Sequence, residues 1–144
     1  MPNNARILDP ISISKPLRPA LWRDVGDQEW NDWGWQLANR ITTVAELKQV
    51  VSLTAQEAAV IEQSLVKLRM AITPYYASLM DKEDRQCPIR LRAIPTLEET
   101  HVRAEDMRDP LYEDIDSPVP GLTHRYPDRV LMLLTDQCSM YCRH

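Results

Sequence analysis

Apolar residues recur at helical spacing through most of this chain and give way near its end to one continuous apolar run. From Asp27 the stripe Trp30, Trp33, Leu37 and Ile41 marks one helix face, which Gly34 weakens but does not break. Thr43-Val44-Ala45-Glu46 reads as a capping box, in which the Thr hydroxyl and the Glu carboxylate each accept an otherwise orphaned backbone N–H. Thr54-Ala55-Gln56-Glu57 repeats the device and opens the best helical pattern, with Ala58, Ile61, Leu65 and Leu68 on one face. Thr73-Pro74 sets a cap before a proline at the first helical position, so a helix is predicted over 75–80. Thr96-Leu97-Glu98-Glu99, after Pro95, is a further start signal.

The run Val130-Leu131-Met132-Leu133-Leu134 differs in kind. Unbroken apolarity, in place of alternation, predicts a strand over 130–135 covered on both faces, as in a parallel α/β sheet. Such a strand needs neighbours for its ladder groups. Ahead of it, Asp116-Ser117-Pro118-Val119-Pro120-Gly121 reads as a turn-rich linker, and eight acidic residues between Glu98 and Asp116 read as a solvated face or loop. The organisation expected is an irregular arm over 1–26, a helical region over 27–116, and the beginning of a sheet domain over 117–144.

Composition narrows the function classes. Eleven prolines against three glycines cut the chain into short segments and disfavour a long helical bundle. Phe is absent beside four Trp and five Tyr, so every aromatic side chain carries a polar tip that needs a partner. A net charge of −4 gives no reason to expect nucleic acid. No apolar run approaches the ~20 residues that span a bilayer. Three cysteines, an odd number, argue against a disulfide framework and for a reducing, cytoplasmic setting.

Candidate chemistry concentrates in Cys138-Ser139-Met140-Tyr141-Cys142-Arg143-His144. A pair of cysteines with three residues between them is compatible with buried apolar thiols, half of a zinc site, or two ligands of an iron–sulfur cluster. Position adds weight to the last. The pair leaves the predicted strand through Thr135-Asp136-Gln137, and α/β folds place their chemistry at the carboxyl ends of strands. Cys87 has no partner in the pattern and reads as a partly buried thiol.

Four blocks then resemble one family. They are Trp30-Asn31-Asp32-Trp33-Gly34-Trp35-Gln36, Leu68-Arg69-Met70-Ala71-Ile72-Thr73-Pro74-Tyr75-Tyr76, the stretch from Asp116 to Arg129, and the cysteine loop. Together they resemble the lysine 2,3-aminomutases, radical S-adenosylmethionine enzymes, from about Trp30 to His144. The resemblance implies an α/β fold in which a helical N-terminal layer leads into the first strand of a partial (β/α) barrel. It implies a 4Fe-4S cluster held by a Cys-x3-Cys-x2-Cys motif, S-adenosylmethionine and pyridoxal 5'-phosphate. It also implies transfer of the amino group of lysine from the α to the β carbon by a radical route.

Carried over by position, Cys138 and Cys142 resemble two of the three cluster ligands. The third would follow His144, so a longer polypeptide is expected, with most of the barrel, the pyridoxal lysine and the substrate-binding acids downstream. His144 resembles the family residue beside the adenine of S-adenosylmethionine, or is a plain loop histidine. Arg125, Tyr126 and Arg129 resemble the stretch approaching the pyridoxal phosphate, where a planar guanidinium fork suits a phosphate; pairing with the preceding acids is the alternative. No catalytic residue is assigned within 1–144. A homo-oligomer acting on a small amino acid is expected. A zinc or iron–sulfur binding module without catalysis, or an aminomutase acting on glutamate, arginine or protein-linked lysine, are the competing readings.

Overall fold

The computed structural model describes residues 17–143. Among these residues six short α-helices form a helical layer around one core: α1 (Asp27–Trp30), α2 (Trp33–Ala38), α3 (Val44–Leu47), α4 (Ala55–Ser64), α5 (Pro74–Ser78) and α6 (Pro88–Leu91). A two-stranded antiparallel sheet follows, β1 (Leu122–Tyr126) with β2 (Arg129–Met132). The result is a small mixed helix and strand domain. No helix among the described residues is long and apolar enough to cross a membrane.

The helix starts follow local hydrogen-bond chemistry. At α3 the Thr43 hydroxyl accepts from the Glu46 amide while the Glu46 carboxylate accepts from the amides of Thr42 and Thr43. At α4 Thr54 and Glu57 make the same exchange. The Thr42 amide is the main cause that holds Glu46 below the ordinary glutamate range, and the Thr54 amide and hydroxyl do the same for Glu57. Both carboxylates bind a proton less well in the folded than in the unfolded chain. Their contribution to stability is therefore present above the ordinary glutamate pKa of 4.5 and is lost as pH falls through the folded values. In urea titrations the midpoint falls over that acid range, and the Glu46→Gln, Glu57→Gln double variant shows a flatter fall. An acid limb equally steep in the double variant would refute this assignment.

The stripe predicted from Trp30 to Ile41 is two helices. Asp32 interrupts it, because its carboxylate accepts from the Trp35 amide at 2.7 Å and so caps a new helix. The break shifts the phase. Trp33 stands 76% exposed, and Trp35 instead packs against buried Trp30, ring centroids 6.1 Å apart, with Trp22 on the other side at 6.3 Å. In α4 the core face is Ala58, Ile61 and Ser64; the helix ends at Ser64, earlier than the pattern predicts, and half-buried Leu65 and Leu68 lie beyond it. The predicted helix over 75–80 is α5, one residue earlier at its start; Pro74 occupies its first turn and the Thr73 side chain makes no cap bond. The start signal at Thr96 yields a single turn of 3-10 helix over Glu98–Thr100.

Beneath these helices lies one core. Ile41, Leu47, Val51 and Ile72 are the largest of its fully enclosed side chains. Ile41 and Ile72 also exchange both backbone hydrogen bonds, at 2.8 and 3.0 Å, which ties the α2–α3 connection to the one between α4 and α5.

The apolar run near the end departs from expectation in two ways. Its strand covers Arg129–Met132, and its partner is antiparallel β1 across the turn at Pro127-Asp128. Nor is it covered: Leu131 is 65% and Leu134 83% exposed, because no other described element packs on either face of the hairpin. β1 was not evident from apolar pattern. It is set by Gly121, whose φ of +79° suits glycine, and by the Asp116 carbonyl accepting from the His124 amide at 2.7 Å. The 116–121 segment is thus part of the hairpin unit. The acidic stretch before it is mostly exposed turns, as its charge suggested.

Candidate functional site

After β2 the chain runs back across the helical layer, and that return places the cysteines. Met140 packs against the core cluster and anchors the middle of the loop. On either side of it Cys138 and Cys142 are free and exposed. Three arginines of the helical layer reach onto this segment. Arg40 donates to the Cys138 carbonyl at 2.8 Å. Arg69 donates to the Tyr141 hydroxyl and to Asp136, both at 3.3 Å, and its guanidinium lies 5.6 Å from the Tyr141 ring centroid. Arg92 donates to the Arg143 carbonyl at 3.0 Å.

One arginine of the segment reaches back. Arg143 donates through Nη1 to Glu99 at 3.0 Å and through Nη2 to the Arg69 carbonyl at 2.6 Å, while its amide donates to the Arg92 carbonyl at 2.7 Å. The electrostatics follow from these contacts. Gln137, then the Arg69 guanidinium, hold the Asp136 carboxyl below the usual range. The Tyr141 hydroxyl, ahead of Asp136, stabilises charged Arg69 further. Burial pushes the Tyr76 phenol up, with a smaller electrostatic contribution from the nearby Cys142 sulfur.

Two exposed soft sulfurs on one short, anchored loop are a donor set that fits part of an iron–sulfur or zinc centre. Among the described residues no group of three or more His, Cys, Asp or Glu side chains is placed to hold a metal. His144 lies outside the described residues. Cys87 is buried, and its sulfur accepts from the Asp81 amide, in keeping with a packing role.

Arg125, Tyr126 and Arg129 sit together at the turn end of the hairpin, on a cavity of about 370 Å³ shared with Thr123 and Glu113. Arg129 stacks on Tyr126, its guanidinium carbon 4.5 Å from the ring centroid. Arg125 lies 3.9 Å from Asp116 and Arg129 3.9 Å from Asp128. Those long, solvent-facing contacts leave most of each fork free, so pairing with acids and binding a phosphate are compatible. Among the described residues no hydrogen bond or ion pair joins this cavity to the cysteine loop. Sequence reasoning assigned no role at the loop to Arg40, Arg69, Arg92 or Arg143, and read Glu99 only as part of a helix start signal. Arg69 did lie within one of the family-like blocks, though nothing local marked its partners.

A scan of protein-family models finds no match. Curated relatives do match, over most of the chain. A lysine 2,3-aminomutase of Clostridium subterminale is 60% identical over 127 residues, covering 88% of this chain and 30% of its own length. One from Bacillus subtilis is 54% identical over 124 residues, 86% of this chain and 26% of its own length. A glutamate 2,3-aminomutase of Clostridioides difficile is 44% identical over 118 residues. Over most of its length the chain is similar to proteins named as amino-acid 2,3-aminomutases. The relatives at 54–60% identity, which cover 86–89% of this chain, carry the name L-lysine 2,3-aminomutase. It spans about 30% of the length of the curated relatives it matches.

Proposed function

We propose that this chain serves as the front portion of a longer lysine 2,3-aminomutase, which moves the amino group of L-lysine from the α to the β carbon. The observation that carries the reading is the anchored loop with two exposed thiols, in a chain 54–60% identical to lysine enzymes over at least 86% of its length. Lysine is preferred over glutamate as substrate because the glutamate relative reaches 44%. When bound, a cluster with S-adenosylmethionine would supply radical chemistry and pyridoxal 5'-phosphate would supply a carbonyl to hold the substrate amine.

The chain's own residues hold and orient. Cys138 and Cys142 would ligate two irons of a 4Fe-4S cluster, and His144 would lie beside the adenine. Arg125 and Arg129, the latter steadied on Tyr126, would take the pyridoxal phosphate group in the hairpin cavity. The exposed faces of β2 and of 133–134 would be covered by further strands and helices, completing a partial (β/α) barrel in a cytoplasmic homo-oligomer.

Anaerobic reconstitution with iron and sulfide provides the test. A polypeptide carrying this segment at the length of its relatives takes up a full cluster and, given S-adenosylmethionine and pyridoxal 5'-phosphate, converts α-lysine to β-lysine. The 144-residue chain takes up little iron. Equal iron uptake by both would overturn the ligand assignment, and turnover of glutamate in place of lysine would overturn the substrate.

A further inference from the structure

We propose that Arg143 is the positioning residue of the cysteine loop, clamping it to the helical layer so that the thiols of Cys138 and Cys142 face a metal together. The inference rests on the reading of those thiols as metal ligands, and it concerns a residue that ligates nothing itself. Arg143 directly follows Cys142. Its amide and carbonyl both pair with Arg92, and its guanidinium bridges Glu99 and the Arg69 carbonyl. The side chain is 14% exposed, and Nε makes no hydrogen bond although it is buried. A guanidinium desolvated to that degree is held by its surroundings rather than resting on a surface.

Among the described residues nothing else fixes the second cysteine as firmly. Cys138 is held through its carbonyl by Arg40 and Tyr141 through its hydroxyl by Arg69, whereas Cys142 has Arg143 as its adjacent anchor. Both anchors of the clamp adjoin buried structure: Arg69 precedes the buried residues Met70, Ala71 and Ile72, and Arg92 directly follows α6. Loss of the clamp therefore frees the loop without opening the core. Outer residues that orient metal ligands are typically worth 10–100-fold in affinity.

Two measurements on the 144-residue chain test this. In Arg143→Met, amide hydrogen exchange at Arg143 and through 138–142 quickens about tenfold, while the amides of Ile41 and Ile72 exchange as before. Titration with Co²⁺ alone, read by the thiolate-to-cobalt absorption band, weakens at least tenfold. Arg143→Lys retains the charge but not the two-pronged fork, and recovers part of the cobalt affinity. Unchanged exchange in Arg143→Met, or unchanged cobalt affinity beside faster exchange, would overturn the clamp. Should the unaltered chain show no cobalt band, the metal reading of the cysteines fails on its own, and the exchange data still decide whether Arg143 holds the loop.

Discussion

Cys142→Ala will lower metal affinity on the order of a hundredfold or more, because a direct ligand outweighs the outer partners whose loss already costs 10–100-fold. Cys138→Ala will do the same, and each single change will nearly match the double. Two sulfurs on one short loop act as a chelate; once either is gone, the other is an isolated thiol competing with solvent. The readouts are iron and sulfide per chain after anaerobic reconstitution of the longer polypeptide, and the cobalt–thiolate band on this chain. Folding will be little affected. Both positions are exposed, and exposed substitutions usually stay within about 0.5 kcal/mol. Cys87→Ala supplies the contrast, since that thiol is buried and should leave metal uptake intact while costing stability. Ligation requires thiolates, so uptake also weakens as pH falls. Full iron content in Cys142→Ala would remove the loop from the metal site altogether.

What was legible in the sequence divides by the range of the interactions. The capping boxes at Thr43 and Thr54 act over three residues, and both are present as read. The cysteines are close in sequence, so their pairing on one loop was visible, as was the family-like character of the blocks around them. The helix break at Asp32 was missed because the apolar stripe continues across it, and only the carboxylate's bond to the Trp35 amide shows where the phase resets. β1 was missed because Leu122-Thr123-His124-Arg125-Tyr126 carries little apolar pattern and depends on a left-handed glycine before it. The burial expected of 130–135 is absent among the described residues, since burial depends on partners that a strand's own composition cannot supply. The arginine clamp lies furthest from view. Arg40 and Cys138 are 98 residues apart, Arg69 and Arg143 74, and the contacts are polar, so no periodicity announces them.

Ile72→Ala carries the other large effect, about 3 kcal/mol of lost stability, near the middle of the range for truncating a buried isoleucine. Ile72 is fully enclosed and sits where the two connections of the helical layer cross, so its neighbours are held by backbone bonds and collapse poorly into the space left. Thermal unfolding should shift down by roughly 10–20 °C for a folded unit of this size. The denaturant slope should stay constant, which marks a change in stability alone. The damage reaches the site: Arg69, three residues earlier, offers its carbonyl to Arg143 and its guanidinium to Tyr141, so a looser Ile72 loosens the cysteine loop. Leu131→Ala makes the decisive comparison. On the open hairpin it costs less than about 0.5 kcal/mol in this chain. In the longer polypeptide, where further strands would cover the hairpin, the same change should approach the cost at Ile72. If Leu131→Ala is mild in both, the apolar run is not a barrel strand.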